Sequence, residues 1–186
     1  MKIAAAISVL ALTANAAECP SFDVKDPFDK DLYLGEWYEI SRDSWTIYEW
    51  FAECVTAHYA ADGENIVVTN RLWSWTTWFN YYTIQGEAKC PTDSQGDCIV
   101  NFRGADNEEP NYNIIATDYD NYAVVYSCDD GLWLDESLWV LGRTSEMTVD
   151  MYSDIQTMVE AALPHYDFSR QYKGVHPESC VYDWTV

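Results

Sequence analysis

Cysteine and histidine are the residues of this chain that could bind a metal or take part in catalysis, and their number and spacing limit both possibilities. Six cysteines occur without a C-x-x-C pair, and only His58, His165 and His176 accompany them, so the ligand spacing of a structural zinc site is missing. None of the histidines has an obvious nucleophile partner, and the G-x-S-x-G, H-E-x-x-H and P-loop motifs do not occur. The sequence therefore predicts neither a metal site nor an enzyme.

The N-terminal residues assign those cysteines to an oxidising compartment. Residues 1–17 have the pattern of a signal peptide: Lys2 is followed by the apolar run Ile3–Thr13 and by small residues, and cleavage after Ala16 or Ala17 fits equally well. That run is too short to span a bilayer, and no second one follows it. Six cysteines in an exported chain imply three disulfides, which the count alone can pair in fifteen ways. We therefore expect a secreted, extracellular protein in which residues 18–186 form a single domain.

The charge of the chain limits its partners. The formal net charge is -21, from 31 acidic and 10 basic residues. Such an excess disfavours binding to nucleic acid and to anionic membrane surfaces, and it favours solubility. Nucleic acid is therefore excluded from the predicted partners, and no membrane span is expected.

Most of the chain after the N-terminal arm is predicted to form β-strands. Residues 18–34 predict an extended arm, not a helix, because prolines and scattered acids interrupt them. From Gly35 onward, stretches of alternating apolar and polar residues are separated by turn sequences such as 62–65. Eight strands follow one another in this way, the first at about 35–41 and the last at about 137–143.

The period of the sequence changes only after the eighth strand. Apolar residues then recur at helical spacing, which predicts one helix at about 147–163, ended by Pro164 and followed by a tail at 164–186 that Cys180 fixes. The order predicts an all-β protein with one C-terminal helix, in the form of an eight-stranded up-and-down antiparallel β-barrel. A sandwich of equal strand count is the structural alternative. A barrel of eight strands can hold one small ligand.

Four stretches resemble one family. They are Gly35-Glu36-Trp37-Tyr38-Glu39-Ile40, the segment 53–59, the segment 115–128 with Thr117-Asp118-Tyr119, and the tail segment 178–183; Arg143 follows the eighth strand. Their order resembles the lipocalins, which are secreted up-and-down barrels that carry small apolar molecules. Within that family the chain looks most similar to apolipoprotein D, the insect bilin-binding proteins and the carotenoid-binding subunits of crustacyanin.

The resemblance implies disulfide pairs and a closed end for the barrel. The family's two disulfides correspond to Cys19–Cys128 and Cys54–Cys180, which leaves Cys90–Cys98 as the third pair. In such barrels the guanidinium of Arg143 lies over the indole of Trp37 at the closed end. The resemblance therefore implies structural rather than ligand-contacting roles for one group of residues: Gly35, Trp37, Thr117, Asp118, Tyr119 and Arg143.

The alternating faces and the resemblance together predict the residues of the barrel interior. Aromatic walls with a few hydroxyls and an amide suit a long conjugated or polycyclic ligand. The predicted ligand is therefore a carotenoid or a similar pigment, bound without a covalent link or an obligatory cofactor; a bilin, retinoid, sterol or fatty acid is the alternative. The opposing interpretation is a barrel filled by its own side chains. The candidates are Tyr59, Asn70, Leu72, Tyr82, Ile84, Phe102, Tyr112, Ile114, Tyr126, Trp139 and Leu141.

Two aromatic segments depart from the family pattern, Trp45–Phe51 and Trp73–Phe79. In an up-and-down barrel they join strands one to two and three to four, so both are predicted at one rim, opposite Trp37 and Arg143. Their tryptophans could clamp a protruding ligand, fold back on the barrel, or form an interface in a homo- or heterodimer. The candidates are Trp45, Trp50, Trp73, Trp75 and Trp78.

Overall fold

The computed structural model describes residues 18–46, 49–91, 94–130 and 135–183. Nine antiparallel strands form one sheet, and the predicted signal peptide at 1–17 lies outside the described residues. The strands are β1 (Gly35–Asp43), β2 (Ala52–Asp62), β3 (Asn65–Ser74), β4 (Asn80–Lys89), β5 (Asp97–Phe102), β6 (Tyr112–Thr117), β7 (Tyr122–Asp129), β8 (Asp135–Gly142) and β9 (Gln171–Lys173).

The sheet closes into a barrel because β1 has strand neighbours on both sides. The strands follow the order β2-β3-β4-β5-β6-β7-β8-β1, and a further pairing of β1 with β2 completes the ring. Gly35 pairs with Tyr59 across that closure, and Gly142 pairs with Tyr38 on the other side of β1. The predicted eight-stranded antiparallel barrel is thereby confirmed. The short strand β9 pairs with the last residues of β1 and adds to the outside of the ring.

Helices are few. Helix α2 (Val149–Ala162) begins after Thr148, whose side chain accepts a hydrogen bond from Met151 N. It lies within the predicted range 147–163. The prediction of a wholly extended arm is wrong at Lys30–Tyr33, where the chain forms the one-turn helix α1. Asp29 makes this turn possible, because its carboxylate accepts from the amides of residues 31 and 32 and so caps the helix. Short 3-10 helices occur at Trp75–Thr77 and Phe168–Arg170.

The apolar residues form two cores on opposite faces of the same strands. One core lies inside the barrel and includes Trp37 and Val125, whereas the other lies between the barrel and α2 and includes Val124 and Val159. Strands such as β7 are therefore buried on both faces, so alternation of polarity cannot reveal which residues point inward. For this reason the prediction of Tyr126 as a barrel-interior residue is wrong. Its side chain lies in the outer core, where its hydroxyl donates to Glu136 Oε2 at 2.8 Å.

Candidate ligand-binding site

One end of the barrel is closed by a single arginine. The guanidinium carbon of Arg143 lies 3.7 Å from the centroid of the Trp37 ring. Its nitrogens donate to four backbone carbonyls, those of Tyr119 at 2.8 Å, Leu32 at 2.9 Å, Glu36 at 3.0 Å and Tyr33 at 3.4 Å. The Trp37 indole N–H in turn donates to Tyr33 O at 2.8 Å. The stacked pair thus ties β1, β8, α1 and the β6–β7 turn together, and it forms a solid floor.

Two turns allow this floor to assemble. Gly35 has a φ of +98°, in the left-handed region that favours glycine. In the β6–β7 turn, Asp118 Oδ1 accepts from the amides of residues 121 and 122, and Thr117 Oγ1 donates to Tyr122 O. Partial burial acts to raise the pKa of the Asp118 carboxyl, but hydrogen bonds from the Asn121 side chain and from the backbone amides of the turn outweigh it and hold that pKa below its usual range. The turn presents the Tyr119 carbonyl to Arg143.

Above the floor lies a cavity of about 250 Å³, which we call the deep compartment. Of the predicted interior residues, it is lined by Tyr59, Asn70, Phe102, Tyr112, Trp139 and Leu141. Ile114 lies in the inner core but does not line this cavity.

Three phenols form the polar part of the floor. The hydroxyl oxygen of Tyr112 lies 2.9 Å from that of Tyr33 and 2.7 Å from that of Tyr59. Burial raises the pKa of Tyr59 to about 12 and raises the pKa values of the other two phenols as well. The three groups are therefore neutral at physiological pH, and Tyr59 and Tyr112, which line the deep compartment, contribute hydroxyl groups rather than charge to its wall.

A second cavity of about 390 Å³, the mouth compartment, lies nearer the rim. Leu72, Tyr82, Ile84 and Trp50 line it, as do Thr76 and Thr77 of the second aromatic segment. The deep and mouth compartments share four lining residues, Glu49, Val55, Asn70 and Phe102, which we call the waist. The two cavities therefore follow one another from the floor to the rim, with the waist residues in the wall of both.

The sequence reasoning missed three charged residues at this site. Glu39 and Glu49 line the deep compartment, and Arg42 contacts Glu39 with Nη1 and the backbone carbonyl of Glu49 with Nη2. A register shift in β1 between Glu39 and Ser41 turns Ile40 and Ser41 outward and returns Arg42 to the inside. Glu39 lies two residues after Trp37 in β1, so strand alternation could have predicted that it points inward. No feature of the sequence indicates the bulge or the position of Glu49.

Burial changes the protonation of the two carboxyls. Desolvation, followed by repulsion from Glu39, raises the pKa of Glu49 to about 8. Desolvation also raises the pKa of Glu39, although Arg42 opposes that shift. Among the described residues, Arg42 is the cation in ionic contact with the pair. Burial of two carboxyls beside one cation favours a proton on one of them, and the raised pKa of Glu49 assigns the proton to that residue. The Trp139 indole N–H donates to Glu49 Oε2 at 3.2 Å and links the pair to the cavity wall.

The tryptophans of the two aromatic segments lie at the rim opposite the floor, where Ala52 pairs with Ser74. Of these five tryptophans, Trp50 lines the mouth compartment, and its indole N–H also donates to Ser44 O. Trp75 packs against Phe51, with ring centroids 5.3 Å apart, and Trp73 packs against Phe79 at 6.1 Å. Trp45 and Trp78 are 70% and 87% exposed. Their predicted contacts with a ligand stay predictions.

Three disulfides complete the architecture. Cys19 is bonded to Cys128, Cys54 to Cys180, and Cys90 to Cys98. These are the pairs that the resemblance implies.

Comparison with known proteins agrees with this geometry. A lipocalin-like domain model matches residues 28–171. Among curated relatives, the Lazarillo protein of Schistocerca americana is 31% identical over 92% of this chain and 84% of its own length. Apolipoprotein D of Mus musculus is 36% identical over 77% of each chain, and the bilin-binding protein of Pieris brassicae is 29% identical over 75% of this chain and 78% of its own length. The chain therefore belongs to the lipocalin family.

Solved structures share the fold. Insecticyanin of Manduca sexta superposes with a TM-score of 0.73 over 88% of this chain and 89% of its own, at 21% identity. Lobster apocrustacyanin A1 gives a TM-score of 0.70 at 20% identity, over 89% of this chain and 97% of its own.

Family membership defines the class of activity. Lipocalins bind small hydrophobic ligands and are binding and transport proteins, not enzymes. Within the described ranges, no helix is long and apolar enough to cross a membrane.

Proposed function

We propose that residues 18–186 form an exported carrier that holds one extended hydrophobic molecule, of the carotenoid type, along the barrel axis. The observation that carries this proposal is the pair of cavities of about 250 and 390 Å³ that share the waist residues. Together they offer an elongated site, whereas a compact ligand such as a sterol would need one rounded cavity. The ligand would enter between the two aromatic segments, since the opposite end is closed by Arg143 and Trp37.

The lining supports a conjugated ligand. The aromatic side chains of Tyr59, Tyr112 and Trp139 line the deep compartment, and those of Trp50 and Tyr82 extend this aromatic lining to the mouth. The carotenoid class comes from the sequence resemblance, and the name of the Pieris brassicae relative points to another extended conjugated pigment, a bilin.

The absorption spectrum of protein purified from its natural source tests this function. A visible band that follows the protein through gel filtration, and moves into the organic phase on extraction, is the expected result. A spectrum containing only aromatic absorption, with no lipid in the extract, would contradict carriage and favour a barrel occupied by its own side chains.

A mutant pair tests the entry route. Trp50→Ala removes a residue that lines the mouth compartment, whereas Trp78→Ala removes an equally large side chain that is 87% exposed. In fluorescence-quenching titrations with a carotenoid, Trp50→Ala should weaken binding about tenfold, which corresponds to about 1.4 kcal/mol. Trp78→Ala should leave the affinity within about twofold of the wild type. Equal losses in both variants would contradict the proposed route.

A second candidate function is an interaction protein that uses its aromatic rim. The observation that favours it is the exposure of Trp45, Trp78 and Phe79, which are 70%, 87% and 70% accessible. In that case Trp78→Ala, rather than Trp50→Ala, should change the molecular mass in light scattering, and ligand affinity should be unaffected by either.

A further inference from the structure

The C-terminal tail lies against the barrel where two strands separate. Near the floor β1 pairs directly with β2, and among the described residues this pairing ends at Tyr38 and Thr56. Toward the rim, β1 is bonded instead to the tail segment 171–176, which includes β9 and which we call the strap. On its other side the strap is joined to β2, because Cys54 N donates to Val175 O at 2.9 Å. The strap therefore bridges β1 and β2 where they no longer pair.

The strap donates hydrogen bonds to two consecutive carbonyls of the β1 bulge. Gly174 N donates to Ile40 O at 2.8 Å, and His176 Nε2 donates to Glu39 O at 2.8 Å. In a regular strand consecutive carbonyls point to opposite sides, so two neighbouring carbonyls that face one segment mark the bulge. Residue 174 has to be small, since a Cβ built on Gly174 would clash with the Glu39 carbonyl oxygen.

The tail also orients the imidazole of His176. Its Nδ1 lies 2.8 Å from the hydroxyl oxygen of Tyr182, and its ring packs edge to face with that of Tyr38, with centroids 6.0 Å apart. When the Tyr182 hydroxyl donates to Nδ1, the ring proton is held on Nε2, where it faces Glu39 O.

A continuous series of contacts leads from the bulge to the cavity wall. The side chain of Glu39 lines the deep compartment and contacts Arg42, whose Nη2 donates to Glu49 O at 2.6 Å. Trp139, in the same wall, donates its indole N–H to Glu49 Oε2 at 3.2 Å. Among the described residues, those of the strap line neither compartment. The strap therefore acts on a bound molecule through the bulge and not by contact.

From these contacts we infer that His176 and Gly174 are positioning residues of the ligand site: from outside the barrel they hold the bulge that places Glu39 and Arg42 at the wall of the deep compartment. A bulge that loses these donors keeps unpaired carbonyls, and its register relaxes toward that of a regular strand. For its effect on affinity the inference rests on the proposed carrier function, whereas its effect on the empty protein is independent of that function.

Nuclear magnetic resonance spectra of the ligand-free protein test the series of contacts. His176→Leu removes the donor to Glu39 and should shift the indole N–H resonance of Trp139, whereas that of Trp37, which is hydrogen-bonded at the floor, should stay in place. His176→Gln keeps an N–H donor and should restore the Trp139 resonance. Val175→Ala, the matched control, alters an exposed side chain of the strap and should move neither resonance, because Val175 bonds to β2 through its backbone.

Quenching of tryptophan fluorescence by lutein, a carotenoid, tests the consequence for binding. His176→Leu should weaken lutein binding about fivefold, since it withdraws one hydrogen bond from the backbone that supports the wall. His176→Gln and Val175→Ala should each bind lutein within about twofold of the wild type.

The outcomes are distinct. An unchanged Trp139 resonance in His176→Leu, a shift that His176→Gln does not reverse, or a shift without loss of lutein affinity would overturn the inference and leave the carrier function in place. If the wild type does not bind lutein, the carrier function is contradicted and the resonances alone decide the inference. If His176→Leu does not fold, the nitrogen chemical shifts of the wild-type His176 ring decide: a neutral ring protonated on Nδ1 cannot donate from Nε2 to Glu39 and would overturn the inference.

Discussion

The two ends of the barrel use the same kinds of residue for different purposes. At the closed end Trp37 is fully buried, stacked on Arg143 and hydrogen-bonded through its indole N–H. At the open end Trp45 and Trp78 lie mostly in solvent. The difference indicates that stability is concentrated at the floor, whereas the rim keeps apolar surface available for binding.

The open end has covalent support instead of a packed core. Cys128 lies near the rim end of β7 and holds the N-terminal arm, and Cys54 lies near the rim end of β2 and holds the C-terminal tail. Cys90 and Cys98 lie near the floor, across the β4–β5 connection. Long-range disulfides therefore attach both terminal segments to the strands at this end of the barrel.

Removal of disulfides should give the largest effect and test this division directly. The bond between Cys54 and Cys180 spans 126 residues, whereas the one between Cys90 and Cys98 spans eight. Replacing the first pair by alanine should lower the free energy of unfolding by about 5 kcal/mol, and replacing the second pair by about 2.5 kcal/mol, because a longer loop restricts the unfolded chain more. Urea denaturation measures both, and equal losses would contradict the chain-entropy explanation.

A pair of tryptophan variants compares the two ends with the same substitution. Trp37→Ala should lower the free energy of unfolding by roughly 3–5 kcal/mol, since it removes a fully buried ring. Trp78→Ala should change it by less than about 0.5 kcal/mol. Chemical denaturation followed by circular dichroism gives both values. A large loss in Trp78→Ala would mean that the rim is packed more tightly than its exposure indicates.

The arginine of the floor should affect stability without affecting the ligand. Arg143→Ala loses ring stacking and leaves three carbonyls without their donor, so we expect a loss of roughly 1–3 kcal/mol in the free energy of unfolding. Arg143→Lys keeps the charge but not the planar fork, and it should recover only part of that loss. The affinity of the folded fraction for ligand should be unchanged. A weaker affinity with unchanged stability would place Arg143 in the binding site.

The last comparison concerns pH. The pKa of Glu49 is raised from 4.5 to about 8, mainly by burial, so the folded protein holds a proton in this range that the unfolded chain has lost. Stability should therefore fall as the pH rises from about 4.5 to about 8. Asp118, whose pKa is lowered, contributes with the opposite sign, and its contribution is lost only as the pH falls through the acidic range.

Denaturation of wild type and Glu49→Gln at several pH values checks the assignment. The variant should have a flatter profile between pH 5 and pH 8, about the window that the shift defines. Asp118→Asn is the control at the other end of the barrel: it should change only the acidic limb. An unchanged slope in Glu49→Gln would show that another group takes up the proton.

The fold was predictable because its signals are local. Turn residues at regular intervals predict strands joined in sequence. β2 and β3 alternate clearly enough that Tyr59, Asn70 and Leu72, which were predicted to point into the barrel, line its cavities. Tyr126 was assigned wrongly because β7 is apolar on both faces, so the alternation of its residues does not indicate which of them point into the barrel. The helical turn at Lys30–Tyr33 was missed because it is only four residues long, too short to show a helical period in the sequence.

What the sequence alone determined is the part of the protein that repeats or matches a family: the strands, the helix after the barrel, the floor residues and the pairing of the cysteines. What only the tertiary structure decided is the polar wall of the cavity. A β-bulge brings Arg42 back to the inside beside Glu39, and the first aromatic segment brings Glu49 to the waist near Asn70. These residues come from different strands and a loop, so their proximity arises only when the barrel closes, and no spacing along the chain could reveal it.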